Sequence, residues 1–139
     1  MGLKSANVGS LVSSIKGGEL LAFSFRTNVA AAPDRIRDGK SNAVTSVTRV
    51  GAGTYEVQLN GPYPRQLIAW ALEISTVAAA TTDYAVRMQV DSYSSTTGKF
   101  RVQTVLNDGT NAVEDPPDDA VIAFIGVFVP AGLNSMVQA

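Results

Sequence analysis

The sequence contains neither cysteine nor histidine. Without cysteine, the chain forms no disulfide and offers no thiol nucleophile or thiolate metal ligand. Without histidine, it lacks the commonest general base near neutral pH and the commonest transition-metal ligand. Serine–histidine triads and most zinc sites are therefore excluded, and the sequence contains no other motif of a catalytic site. We accordingly expect a protein that is not an enzyme and needs no cofactor or metal.

A basic excess and a long hydrophobic segment are also missing. The 139 residues include 11 basic and 12 acidic side chains, for a net charge of −1. Binding to a phosphate backbone usually requires a basic excess, so we expect no nucleic-acid partner. The longest apolar run, residues 120–129, is much shorter than the roughly 20 residues of a membrane-spanning helix. We therefore expect no membrane partner either.

The apolar residues that are present repeat with a period of two, which is typical of β-strands whose alternate side chains face a core and the solvent. This alternation is most regular in residues 54–60, 83–91 and 99–106. No segment keeps the helical period long enough to predict a three-turn amphipathic helix. The pattern therefore predicts strands in most of the chain.

Four further segments are predicted to be extended, namely residues 19–26, 43–50, 65–76 and 120–129. The last two are apolar on both faces. In residues 65–76, one face would carry Ile68, Trp70, Leu72 and Ile74, and the other Leu67, Ala69 and Ala71. A strand with two apolar faces lies between two layers or at a subunit interface. We therefore predict that the interface residues include Trp70, Leu72, Ile122, Phe124 and Phe128.

Short turns that contain glycine separate the predicted strands. Residues 51–53 (Gly-Ala-Gly), 60–62 (Asn-Gly-Pro) and 107–109 (Asn-Asp-Gly) are typical of hairpin turns and sharp corners. About seven short strands at such spacing predict an all-β fold, a single antiparallel β-sandwich or barrel-like domain over residues 19–139. Residues 27–42, with a proline, a glycine and five charges among residues 34–40, are predicted to be a loop.

Residues 1–18 precede this domain and are predicted to be an N-terminal arm. Leu11 and Ile15 have helical spacing, but glycines at positions 9, 17 and 18 weaken a helix. The arm is thus either a short helix or an extended segment. We expect Leu11, Val12 and Ile15 to contact a partner, with the arm becoming ordered on binding.

The densest group of charges is the Glu-Asp-Pro-Pro-Asp-Asp segment at residues 114–119. Four carboxylates close together could hold a calcium ion, which takes several oxygen ligands. The segment lacks the alternating ligands and the central glycine of a calcium loop. We favour the interpretation of a polar turn before an apolar strand, and the cation site stays open as the alternative.

The aromatic residues that could form a carbohydrate platform are Tyr55, Tyr63, Trp70, Tyr84 and Tyr93. Tyr55, Trp70 and Tyr84 fall on the apolar phase of their strands, which favours packing in the core. Tyr63 and Tyr93 lie in predicted turns and remain candidates, although packing against the neighbouring turn is the favoured interpretation.

Residues 46–59 (SVTRVGAGTYEVQL), followed by Pro62, Pro64 and Leu67, form a strand–turn–strand pattern. This pattern resembles one found in small virion structural proteins of tailed bacteriophages. The Asp-Pro and Asp-Asp pairs at residues 115–119, before the last apolar strand, are similar to that group as well. Together these features cover residues 43–129, about two-thirds of the chain.

The resemblance implies a capsid decoration (cement) protein, which binds the outer surface of a phage head and stabilises the shell by bridging capsid subunits. Its partners would be the major capsid protein and further copies of itself, most simply in a homotrimer, and its location the outer capsid surface of the virion. The alternative is a head- or tail-fibre module that binds a receptor or a glycan. Neither role has catalytic residues to carry over.

Overall fold

The structure is a computed structural model and describes residues 18–30, 33–36, 43–75, 83–89 and 91–130. The described residues form eight strands: β1 (Glu19–Arg26), β2 (Asp34–Ile36), β3 (Val44–Gly51), β4 (Thr54–Leu59), β5 (Gln66–Ser75), β6 (Tyr84–Met88), β7 (Lys99–Leu106) and β8 (Val121–Val129). These described residues contain no helix that could span a lipid bilayer. The predicted arm, with Leu11, Val12 and Ile15, lies outside the described residues.

The strands form two antiparallel sheets of four strands each. Sheet A has the order β2-β1-β8-β5, and sheet B has the order β3-β4-β7-β6. The sheets pack face to face, with β5 next to β6 at one margin of the sandwich and β2 next to β3 at the other. The prediction of an all-β antiparallel sandwich is thus confirmed.

One strand was not predicted. β2 lies within residues 27–42, where a loop was expected, and it pairs with the end of β1 from Arg26↔Asp34 to Ser24↔Ile36. The loop prediction is wrong for these three residues. A strand this short shows no alternation in the sequence, and only its neighbour β1 supplies the hydrogen-bond partners that make it extended.

β4 shows why alternating residues fold in this way. Tyr55, Val57 and Leu59 are buried, while Glu56 and Gln58 point to the outer face of sheet B. Its neighbour β7 buries alternate residues in the same way. Each strand therefore contributes one apolar row to the space between the sheets, which removes that surface from water.

Aromatic rings from both sheets meet at the centre of the core. Phe23 of β1 and Phe124 of β8 belong to sheet A, and Phe100 of β7 belongs to sheet B. The ring centroid of Phe100 lies 5.0 Å from that of Phe124 and 6.3 Å from that of Phe23, and those two rings are 5.1 Å apart. All three are buried, and tilted or edge-on contacts at these distances are favourable.

A β-bulge changes the expected faces of β5. Leu67 pairs with Phe128 and Ala69 pairs with Val127, so Ile68 is an extra residue without a partner on β8. Leu67 consequently joins Leu72 and Ile74 in packing against the core, although the alternation had placed it on the opposite face. The prediction that Leu67 lies on the face opposite Leu72 and Ile74 is therefore wrong, because the position of the bulge was not visible in the sequence pattern.

The turn between β3 and β4 depends on Gly53. Gly53 has a φ of 61°, a left-handed conformation that favours glycine. A Cβ atom at this position would lie 2.5 Å from the carbonyl oxygen of Glu114 and 2.8 Å from its nitrogen. The turn and the segment before β8 therefore approach too closely for any side chain at this position.

We expect Gly53→Ala to lower the free energy of unfolding by at least about 2 kcal/mol, because alanine adds both left-handed strain and overlap with rigid backbone. Urea denaturation followed by circular dichroism measures the change. Gly51→Ala is the matched control: a Cβ there meets nothing within 4 Å, so its cost should stay below about 1 kcal/mol. Equal losses in the two variants would contradict this account of the turn.

Candidate functional site

The outer face of sheet A is apolar. Because alternate residues of β1, β8 and β5 fill the core, the residues between them point away from it. We call the resulting surface the outer apolar face; it consists of Leu20, Ala22, Ala69, Ala71, Ala123 and Ile125. Leu20 is 44% exposed and Ile125 is 51% exposed. Contiguous apolar surface of this kind marks an interaction site more often than scattered exposed residues do.

The register of the sheet places these side chains in adjacent rows. Ala22, Ile125 and Ala71 lie side by side on neighbouring strands, and in the next row Leu20 and Ala69 flank Val127, whose own side chain is buried. Charge on this side of the three strands is confined to one end, where Arg26 and Glu73 lie. The centre of the outer apolar face therefore carries no charge.

The outer face of sheet B has the opposite character. Glu56 of β4 forms ion pairs with Lys99 (3.2 Å) and Arg101 (3.0 Å) of β7. Arg87 of β6 donates a hydrogen bond from Nε to Oε1 of Gln103, at 3.1 Å. Such a surface is well solvated and needs no cover. The two sheets therefore share one core but present different surfaces to their surroundings.

The residues predicted to lie at an interface differ in how far they are exposed to solvent. Ile122, Phe124 and Phe128 are almost fully buried in the core of a single chain, so a partner cannot reach their side chains. Leu72 is partly buried against the same core. Trp70 is half exposed.

The residues of β8 predicted to lie at an interface thus face the core, whereas the exposed residues of this strand include Ala123 and Ile125. Large aromatic side chains are the most conspicuous apolar residues in the sequence, but they are usually buried in the core. The smaller apolar residues that alternate with them indicate the outer apolar face.

A cleft opens at the margin of the sandwich where β5 and β6 meet. Its volume is about 370 Å³. Its apolar wall is formed by Leu67, Trp70, Met88 and Tyr93. Its polar rim consists of Arg65, Gln66, Gln89, Asp91, Ser92 and Ser95. No residue of the rim was singled out from the sequence, because the fold alone brings the start of β5 next to the segment after β6.

The two tyrosines that the sequence left as carbohydrate candidates both pack against the protein. The Tyr93 ring meets that of Phe128 edge-on, with centroids 5.5 Å apart, and its hydroxyl donates to the carbonyl oxygen of Pro64. Burial raises the pKa of this hydroxyl to about 12. The Tyr63 ring covers Gly98. Tyr93 therefore forms a fixed part of the wall of the cleft.

The acidic segment before β8 contains a hydrogen-bonded hub at Asp115. Arg49 donates from Nε (2.9 Å) and Nη2 (2.6 Å) to the two carboxylate oxygens. The Gly53 amide and the Tyr55 hydroxyl donate to Oδ1 at 2.9 and 3.2 Å. These donors, the Arg49 guanidinium above all, hold the pKa of Asp115 below its usual value.

The other contacts of this segment also tie it to the sandwich. Asp118 Oδ1 accepts a hydrogen bond from the Val29 amide at 3.0 Å, and the Pro117 carbonyl accepts one from the Thr27 hydroxyl at 3.1 Å. Within the described residues, no group of three acidic side chains is placed to hold a metal ion. The contacts support the interpretation of the segment as a structural turn.

Comparison of the chain with protein-family models, with curated proteins and with solved structures found no match.

We expect Asp115→Asn to lower the free energy of unfolding near neutral pH by about 2 kcal/mol, since it removes a charge that accepts four hydrogen bonds. The pKa of Asp115 is lower in the folded than in the unfolded state. Its charge therefore stabilises the fold above the unfolded pKa, about 3.9, and this contribution is lost as the pH falls through the folded pKa.

Urea denaturation between neutral pH and about pH 2 tests this expectation, and the difference between Asp115→Asn and the unmodified protein should become smaller as the pH falls. Glu114→Gln is the matched control, because the neighbouring Glu114 is exposed and its replacement should cost less than about 0.5 kcal/mol. A penalty for Asp115→Asn that stays constant over the whole pH range would rule out the charged hub.

Proposed function

We propose that this protein is a non-enzymatic structural protein that acts by binding protein surfaces, and specifically a capsid decoration (cement) protein of a tailed bacteriophage. The observation that carries the proposal is the outer apolar face of sheet A. One face of sheet A is buried in the core, and the other face exposes apolar side chains to water, which is unfavourable. Association with another protein surface removes these side chains from water.

The size of the gain is modest for each side chain. Leu20 and Ile125 are about half exposed, so completing their burial contributes about 1 kcal/mol each. The surrounding alanines add smaller amounts and let the partner approach closely. The contact is repeated at each of the three interfaces of a trimer, so these contributions act together.

The partner of the outer apolar face that we propose is another copy of the chain, in a homotrimer. The two charges at the end of this face have opposite signs, Arg26 on β1 and Glu73 on β5, two strands apart. Both are exposed. Because these charges lie on opposite sides of the face, copies arranged around a three-fold axis can place the cation of one copy against the anion of the next.

The resemblance of residues 46–59 to small phage virion proteins supports a position on the outside of a head. These residues form the β3–β4 hairpin, whose outer surface belongs to the polar face of sheet B. Self-association through sheet A would leave that polar face in contact with solvent or with the major capsid protein. The proposed location is accordingly the outer capsid surface of the virion.

We expect the purified protein to have the mass of a trimer in light scattering and Ile125→Lys to dissociate it, because a lysine at the centre of the outer apolar face would bury an unpaired charge. Val50→Lys is the matched control. Val50 is a β-branched residue with 44% exposure on β3 of the other sheet, and its replacement should leave the mass unchanged. A monomeric unmodified protein would overturn the proposed self-association.

We also expect the protein, added to undecorated heads of its parent particle, to bind them and to raise the temperature at which the shells fail, since binding to the assembled state alone stabilises that state. Calorimetry of heads with and without the protein measures the shift. Heads that neither bind the protein nor gain stability would refute the decoration role while leaving self-association standing.

A further inference from the structure

The cleft between β5 and the segment after β6 has features that self-association through the outer apolar face does not use. It lies at the margin of the sandwich, whereas the outer apolar face lies on the broad side of sheet A. Its volume of about 370 Å³ is at the lower end of the roughly 300 to 1,000 Å³ that small-molecule sites occupy. A ligand that fits it is no larger than one or two sugar rings.

Trp70 lines this cleft, although Leu72 and Ile74, on the same face of β5, pack against the core. It pairs across the sheet with Gly126, where a missing side chain should leave room for an indole. That room is already taken: a Cβ on Gly126 would lie 2.5 Å from the Phe124 ring and 3.2 Å from Leu67. The indole therefore remains 50% exposed and lines the cleft.

The wall beside Trp70 is rigid. Tyr93 is fixed through its ring by Phe128 and through its hydroxyl by the Pro64 carbonyl. The Ser92 hydroxyl accepts a hydrogen bond from the Arg101 amide at 2.9 Å and thereby ties the segment after β6 to β7. A cleft formed before the ligand arrives loses little conformational entropy on binding.

The polar rim offers both donors and acceptors. Arg65 donates, Asp91 accepts, and the amides of Gln66 and Gln89 do both. In the described part of the chain, these four side chains form no hydrogen bond or ion pair with the protein. The single cation and the single anion cancel, so the rim has no net charge.

We propose that this cleft binds an uncharged saccharide of one or two pyranose rings. The C–H face of a pyranose is apolar and flat enough to stack on the Trp70 indole, while its hydroxyls donate and accept at once. A purely apolar ligand would leave the rim unpaired, which costs free energy. A strongly charged ligand would meet no net counter-charge. Such a site would serve a decoration protein on a virion surface and a fibre module equally well.

Trp70 is the only tryptophan in the sequence, so the fluorescence of the intact protein reports on the cleft directly. Titration with a panel of uncharged mono- and disaccharides should give at least one saturable change in tryptophan emission. Sulfated forms of the same sugars should bind more weakly. Tighter binding of the sulfated forms, or no saturable response to any sugar in the panel, would overturn the proposal.

Isothermal titration with the responding sugar then locates the site. Trp70→Ala and Asp91→Asn should each weaken binding by about tenfold, because they remove the stacking surface and a charged acceptor. Val50→Ala removes a similarly exposed side chain from the far margin of the sandwich and should leave the affinity unchanged. Circular dichroism shows whether each variant is folded. Undiminished binding by folded Trp70→Ala and Asp91→Asn would place the sugar elsewhere and refute the site.

Discussion

The contact of Phe23, Phe124 and Phe100 between the two sheets is the constraint on which the rest of the structure depends. To place their rings together, β1 and β8 must both turn their aromatic phase toward sheet B. A strand has only two phases, so this choice also determines what faces outward. Because β8 is apolar in both phases, filling the core exposes Ile125. The outer apolar face is therefore a direct consequence of how the core is packed.

Much of the fold could be predicted from the sequence, because sheet B obeys simple alternation. In β4, every second residue is apolar and buried, and the residues between them are polar. Only one face of this strand can therefore point to the core. β5 is different, since its two phases are nearly equally apolar. The bulge at Ile68 decides which residues face the core, and it is set by pairing with β8, which no local pattern reveals.

The candidate site was predictable in kind but not in detail. The two strands that the sequence shows to be apolar on both faces, β5 and β8, both lie in sheet A. Which phase lay outside depended on tertiary packing, so Phe124 and Phe128 were assigned to an interface although they fill the core. The hub at Asp115 joins residues separated by 66 positions along the chain. The cleft likewise joins β5 to the segment after β6, and no motif links them in the sequence.

The pairing of β1 with β8 determines the order in which the two sheets can form. These strands are the central pair of sheet A and the first and last strands of the described chain. Every strand of sheet B precedes β8, so that layer can assemble while β8 is still being synthesised. Sheet A cannot, and closing a contact of such long range is slow. During that interval β1 and β5 lack β8, the strand that lies between them. Their unpaired edges can then pair with a strand of another chain before β8 is in place.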